Sequence, residues 1–189
     1  MAKQFRKQQV IEHYQRELKK MISDSDFKRY FGPNFAPMKY SELNNFKDID
    51  DVIPEKKGFR IFLTEQRPNV GHWTALIKYG DIWEWFDSYG VKPDGEFKYI
   101  PTIIRNALGQ GGNILSKLLK TNHPNSKIYY NKKKFQENND DVATCGRWVI
   151  ARILAHQFGY ELDDFINKVD ECCEETGKPP DILVCDWIN

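Results

Sequence analysis

Gly71-His72-Trp73-Thr74-Ala75-Leu76-Ile77-Lys78-Tyr79, then Gly80-Asp81, then Ile82-Trp83-Glu84-Trp85-Phe86-Asp87 is the stretch that decides the fold. Two runs rich in β-branched and aromatic residues flank a tight glycine turn, which reads as an antiparallel hairpin. With the turn at 80 and 81, Tyr79 faces Ile82 and Ala75 faces Phe86. Continued outward, this register puts His72 opposite position 89. Asp87 then lies two residues from that point, on the same face and within reach. The pattern alone brings an imidazole and a carboxylate together at the open end of a hairpin.

Phe59-Arg60-Ile61-Phe62-Leu63 reads as a shorter strand before the hairpin, and Lys127 to Tyr130 as another after it. Elsewhere the apolar period is near 3.6. Val10, Ile11, Tyr14, Leu18, Met21 and Ile22 form the inward face of a first helix. Ser23 to Asp26 cap a second, holding Phe27, Tyr30 and Phe31 and ended by Gly32-Pro33. Ser41 opens a third, with Leu43, Phe46 and Ile49 inward and Pro54 beyond. Pro101 to Leu108 and Asn113 to Leu119 are two short helices around Gly109-Gln110-Gly111-Gly112. That glycine run lacks the preceding strand and the following Lys-Ser/Thr of a phosphate loop. It reads as a flexible connection, suited to a substrate lid. Gly146 to Phe158 and Leu162 to Cys173 are further helices, and Ile182 to Val184 a closing strand. The expectation is an α/β (α+β) protein with a sheet flanked by helices. It is one domain over residues 1–189, with a helical N-terminal part at 1–57 that shows no evident chemistry and a core at 58–189.

At 189 residues the chain is long enough to bury a full core, and 40% hydrophobic with 14% aromatic content argues against disorder. A formal net charge of +1 names no partner. Lys19-Lys20, Lys56-Lys57 and Lys132-Lys133-Lys134 read as solvated surface, the alternative being an anionic partner such as nucleic acid. No apolar run reaches the roughly 18 residues that span a bilayer. The charged first segment has no signal-peptide core. A cytosolic or nuclear setting is the default expectation. No two of Cys145, Cys172, Cys173 and Cys185 show zinc-knuckle spacing, and no metal or cofactor is expected. Cys172 and Cys173 are expected to be reduced, as suits a compartment in which a catalytic thiol survives.

The thiol with chemistry around it is Cys145, in Thr144-Cys145-Gly146-Arg147-Trp148, where a polar stretch gives way to a helix. A free thiol is only a few per cent thiolate at neutral pH. A helix N-terminus supplies about 0.3–1 kcal/mol toward the anion. An imidazolium at about 4 Å supplies roughly 4 kcal/mol at an effective dielectric near 20, before desolvation. Catalysis at Cys145 therefore needs His72 beside it, with Asp87 orienting the ring. The oxyanion formed on attack needs two donors. The Cys145 backbone N–H is one, and the side-chain amide of Gln136 is the other. His13, His123 and His156 have weaker contexts.

The ordered set Gly71-His72-Trp73, Phe86-Asp87-Ser88-Tyr89-Gly90, Phe135-Gln136 and Thr144-Cys145-Gly146-Arg147-Trp148 resembles the adenain-like cysteine proteases, a superfamily that includes the SUMO-specific proteases. The Thr-Cys-Gly-Arg-Trp form is most similar to proteases of large DNA viruses, virophages and virus-like transposons. The likeness covers roughly residues 59 to 158. It implies His72 as general base, Asp87 as its partner, Gln136 in the oxyanion hole and Cys145 as nucleophile, with Trp73 packed alongside. The implied fold has a central mixed sheet flanked by helices and the nucleophile at the N-terminus of a buried helix. Gln136 precedes Cys145 by nine positions, more than the family's usual loop. The implied activity is a viral maturation endopeptidase acting on capsid or other virion precursors in the virion, host cytoplasm or nucleus. Relatives cleave after small or glycine-containing motifs, and adenoviral ones use a peptide and DNA as activators. A polypeptide substrate, no membrane and a monomeric chain complete the expectations. The alternatives are a ubiquitin- or SUMO-type isopeptidase, an acyltransferase with a related triad, and an inactive structural relative.

Overall fold

The computed structural model describes residues 2–189. Among them five strands form one sheet in sequence order: β1 (Met38–Lys39), β2 (Lys57–Arg67), β3 (Val70–Tyr79), β4 (Ile82–Phe86) and β5 (Ile128–Tyr130). The inner pairs β2–β3 and β3–β4 are antiparallel, while β1 and β5 pair parallel at the edges. The sheet is therefore mixed. Tyr79 pairs with Ile82 and Ala75 with Phe86, the register read from the turn. Seven α-helices flank the sheet among the described residues: α1 (Ala2–Lys19), α2 (Asp24–Phe31), α3 (Thr102–Ala107), α4 (Ile114–Asn122), α5 (Cys145–Gln157), α6 (Leu162–Thr176) and α7 (Pro180–Trp187).

Alternation along the strands makes two cores. Ile61, Leu63, Trp73, Ala75, Ile77 and Phe86 face a layer that includes Phe27 of α2, Trp148 of α5, Phe165 of α6 and Leu183 of α7. Phe62, Leu76, Trp83 and Trp85 face the other way, against Tyr40, Leu43, Ile49 and Leu115. Successive strand residues point to opposite faces, so a sheet covered on both sides must be apolar at nearly every position. The result is an α/β architecture of three layers.

Glu84 breaks that rule. It points from β4 toward α5 and is fully buried, as is Arg152. The two make a bidentate pair, Arg152 Nε to Glu84 Oε1 at 2.8 Å and Nη2 to Oε2 at 2.7 Å. Nη1 donates to the Tyr160 carbonyl at 3.1 Å. Two dry charges are tolerated only with such geometry, and the fork fixes how α5 lies on the sheet. Arg147, one helical turn and a half earlier, is equally buried. It donates to the carbonyls of Glu17, Lys20 and Ile188 and to the Glu17 carboxylate, at 2.7 to 3.0 Å. The end of α1 and the last residues of the chain are thus tied to the first turns of α5.

Several expectations are corrected. Ile182–Val184 is not a strand but part of α7. Pro180 stands at its first position, where the missing N–H costs nothing, and Leu183 and Val184 are buried from the helix. A short apolar run has no period long enough to tell the two apart. The first helix forms, yet Val10 and Ile11 on its apolar stripe are exposed, as is Met21 just beyond it; Ile22 is buried. The helix expected from Ser41 is two 3-10 turns, Tyr40–Asn45 and Ile49–Asp51, though Leu43 and Ile49 are buried as read. The short strand at 59–63 extends over Lys57–Arg67, because β3 pairs along almost all of it. The Gly109–Gly112 run is no free lid. Gln110 is fully buried and bonds both backbone groups of Glu65 at 2.8 Å, as a neighbouring strand would.

Arg152→Leu leaves Glu84 buried and unpaired, and is expected to cost about 3–5 kcal/mol in urea unfolding. Glu84→Leu combined with Arg152→Leu should recover most of that loss.

Candidate active site

His72 is the third residue of β3 and pairs directly across from Thr64 of β2. The ladder continues there because Gly71, its neighbour, has no side chain. A Cβ at 71 would lie 1.9 Å from the Thr64 carbonyl oxygen. Asp87 follows the last residue of β4. Its Oδ1 lies 2.8 Å from His72 Nε2 and also accepts the Tyr89 N–H at 2.8 Å. The Asp87 backbone is held in turn by Asn131, just after β5. Asn131 Oδ1 accepts the Asp87 N–H at 3.0 Å, and its Nδ2 donates to the Asp87 carbonyl at 2.5 Å. A side-chain amide here stands in for one more step of the β4–β5 ladder. The Tyr89 ring stacks on His72 with centroids 4.5 Å apart.

Cys145 is the first residue of α5 and is 8% exposed. A first helical residue has no intrahelical partner for its N–H. The turn before it is anchored by Asp181 of α7. The carboxylate accepts from the Thr144 hydroxyl, from Trp148 Nε1 at 3.3 Å and from the Glu137 N–H at 2.8 Å. Burial raises the Asp181 carboxyl against those hydrogen bonds. The glycine after Cys145 has a packing reason. A Cβ at Gly146 would sit 2.5 Å from Cβ of Ile22, which crosses over this end of the helix. Trp73 donates from Nε1 to the Ile22 carbonyl at 3.1 Å and packs edge-on to Phe27.

The structure brings His72, Gln136 and Cys145 to one cleft of about 850 Å³, with Asp87 bonded to His72 beneath it. Ile22, Met38 and Lys39 from the N-terminal part line it too. That part therefore belongs to the site, although its sequence carries no chemical signal. Gln136 is buried. Its Oε1 accepts the Ser88 hydroxyl at 2.7 Å, and its Nε2 donates to the Val142 carbonyl at 3.0 Å. An amide nitrogen has two hydrogens, so one remains for the cleft. A larger depression of about 1200 Å³ lies between α1 and residues 139–142, but charged surface residues line it and no thiol or histidine does.

His72 is held well above its ordinary value near 6.5. Burial opposes the charged ring. The Asp87 charge and hydrogen bond outweigh it, and a hydrogen bond and charge from Cys145 add to them. The ring thus holds its proton more firmly than a free imidazole, with Asp87 hydrogen-bonded to it. Away from the cleft, Asp48, Asp50 and His123 bring donor atoms within 4.8 Å of one another. Lys78 already sits 2.5 Å from Asp50 and lowers its carboxyl by that hydrogen bond, against burial, so a cation occupies the place.

Sequence reading missed Tyr89 as a stacking partner, Asn131, Asp181 and Glu96. Asn131 carried a signal in its place one residue past a strand. Asp181 was hidden by the misread closing strand.

No protein-family model matches the chain. A protein of the Sputnik virophage described as uncharacterized protein V9 is 39% identical over 146 residues, covering 77% of this chain and 81% of that protein. The chain belongs to the V9 family. It is therefore a virophage-related protein. Among solved structures, the central domain of the uncharacterized Lpg1148 protein from Legionella pneumophila is similar at 15% identity and a TM-score of 0.37, over 82% of this chain and 90% of that one. No helix of this V9-family chain, among the described residues, is long and apolar enough to cross a membrane.

The stability that His72 contributes has a definite sign. A raised folded value means the contribution is whole below about 6.5 and is lost as pH climbs through the folded value. Urea unfolding should show the advantage of the wild type over His72→Gln largest below about pH 6.5 and declining as pH climbs through the folded value of the ring.

Proposed function

We propose that this chain is a cysteine endopeptidase with an adenain-like fold, acting on virion precursor proteins. The observation that carries the reading is that the thiol of Cys145, at a helix start, and the ring of His72 line one cleft, with Asp87 bound to that ring from behind at 2.8 Å. Each does what a thiol hydrolase needs. The Cys145 sulfur, as thiolate, attacks the scissile carbonyl carbon. His72, as imidazolium, balances the sulfur and then gives its proton to the departing amine. The thioester is hydrolysed by water that loses a proton to His72, which restores the ion pair. Asp87 keeps the ring oriented and charged.

The oxyanion falls between the Cys145 N–H and the free hydrogen on Gln136 Nε2. Ser88 and Val142 fix the amide so that it arrives without reorganisation, which is what makes such donors effective. The long connection from Gln136 to Cys145 suits this role, because its Val142 carbonyl turns back to hold the amide. Kinship with a virophage protein favours a virion substrate over the removal of ubiquitin-like tags. The cleft wall built from residues 21–25 and 37–39 would then contact the precursor.

With a virion precursor as substrate, Cys145→Ala is expected to abolish cleavage while leaving the unfolding midpoint within a few degrees, a change of the order of 1 kcal/mol. Gln136→Ala should lower kcat by about 10² to 10³ with little change in KM. Reaction of the wild type with ubiquitin or SUMO suicide probes, and not with precursors, would move the assignment to isopeptidase. A Cys145 inert to iodoacetamide in the folded protein would end both.

A further inference from the structure

Glu96 is a buried carboxyl that the chemistry above does not use. It stands in the 3-10 turn Gly95–Tyr99, entered through Asp94 in a left-handed conformation at φ 63°. It is 6% exposed. Its Oε1 accepts the hydroxyl of Thr64, the residue directly across the ladder from His72. Its Oε2 is buried and has no donor. The same holds for Oδ2 of Asp87, whose other oxygen serves His72 and Tyr89. One oxygen of each carboxyl and one ring nitrogen of His72 lie within 4.8 Å of one another.

Glu96 Oε2, buried with no donor, is satisfied if the carboxyl carries its own proton. Two ionised carboxylates this close repel, and burial raises the cost of each, so one of them keeps its proton more firmly than usual. We propose that Glu96 is a positioning residue that takes up and releases a proton beside the His72–Asp87 pair and so sets the negative charge against which His72 works. The coupling of Glu96 to His72 does not depend on the peptidase reading; its effect on the thiol does.

The groups that face Glu96 are His72 from β3, Asp87 and Tyr89 after β4, Lys134 after β5, and Asp94 and Tyr99 on its own turn. Burial pushes the Glu96 carboxyl up and His72 pulls it back. Asp87 and Asp94 raise it again, against the Thr64 hydrogen bond, to about 7. Glu96 lines a second cavity of about 380 Å³ that also reaches His72. With the proton in place, His72 faces one negative charge. Once it leaves, the ring faces two and holds its own proton to higher pH. The coupling is reciprocal, because the same charge on His72 that lowers Glu96 is stabilised by an ionised Glu96.

The test is a side-chain NMR titration of the full chain. In the wild type, the Glu96 carboxyl carbon should titrate with a midpoint near 7, and the His72 ring nitrogens should shift over the same interval. In Glu96→Gln, that ring shift should vanish and His72 should deprotonate at lower pH. The rate of Cys145 alkylation by iodoacetamide should lose the matching inflection. A Glu96 midpoint below about 5, in the ordinary carboxylate range, overturns the proposal from the wild type alone, even if the variant fails to fold. Superimposable His72 titrations in the two proteins also overturn it. An inert Cys145 with the expected NMR shifts refutes the peptidase reading and leaves the coupling of Glu96 to His72 established.

Discussion

Helix α5 carries two fully buried arginines, and the molecule is arranged to satisfy them. Arg152 holds the helix to β4 through Glu84, and Arg147 gathers the end of α1 and the chain's last residues. A helix buried along its first nine residues has little choice of orientation once both guanidinium groups are paired. Its N-terminus then points at the open end of the β3–β4 hairpin. Every part of the candidate site inherits its position from that docking. The thiol sits where the helix begins, the ring and carboxylate sit where the hairpin ends, and the two meet across one layer of the fold.

How much of this was legible depends on the range of the interactions involved. The hairpin is local. A two-residue turn between two runs rich in β-branched and aromatic residues specifies its register, and the register puts Asp87 near His72 with no knowledge of the rest. Cys145 was legible as a helix start because Gly146 and an apolar run follow it. The approach of α5 to the hairpin was not derivable from pattern. It depends on Glu84 meeting Arg152, 68 residues later. Nothing local marks Glu84 as buried, since a charged residue in a strand ordinarily faces water.

The misread elements have physical reasons of the same kind. Residues 182–184 are apolar in both a strand and a helix, and only Pro180 at the helix start tells them apart. The stripe on α1 satisfies the helical period without being covered over most of its length, so periodicity reported the helix and misreported its burial. Gln110 looked like a spacer between glycines, yet its amide completes the backbone pairing of Glu65. Glu96 left no trace, because a carboxyl between Gly95 and Phe97 in a turn is ordinarily a solvated one.

The close approach at Gly71 has a genetic corollary. The carbonyl that leaves no room for a side chain there belongs to Thr64, whose hydroxyl holds Glu96. Substitutions at 64, 71 and 96 therefore act on a shared backbone segment, and their costs do not add. A change at any one of these three places is therefore felt at the other two.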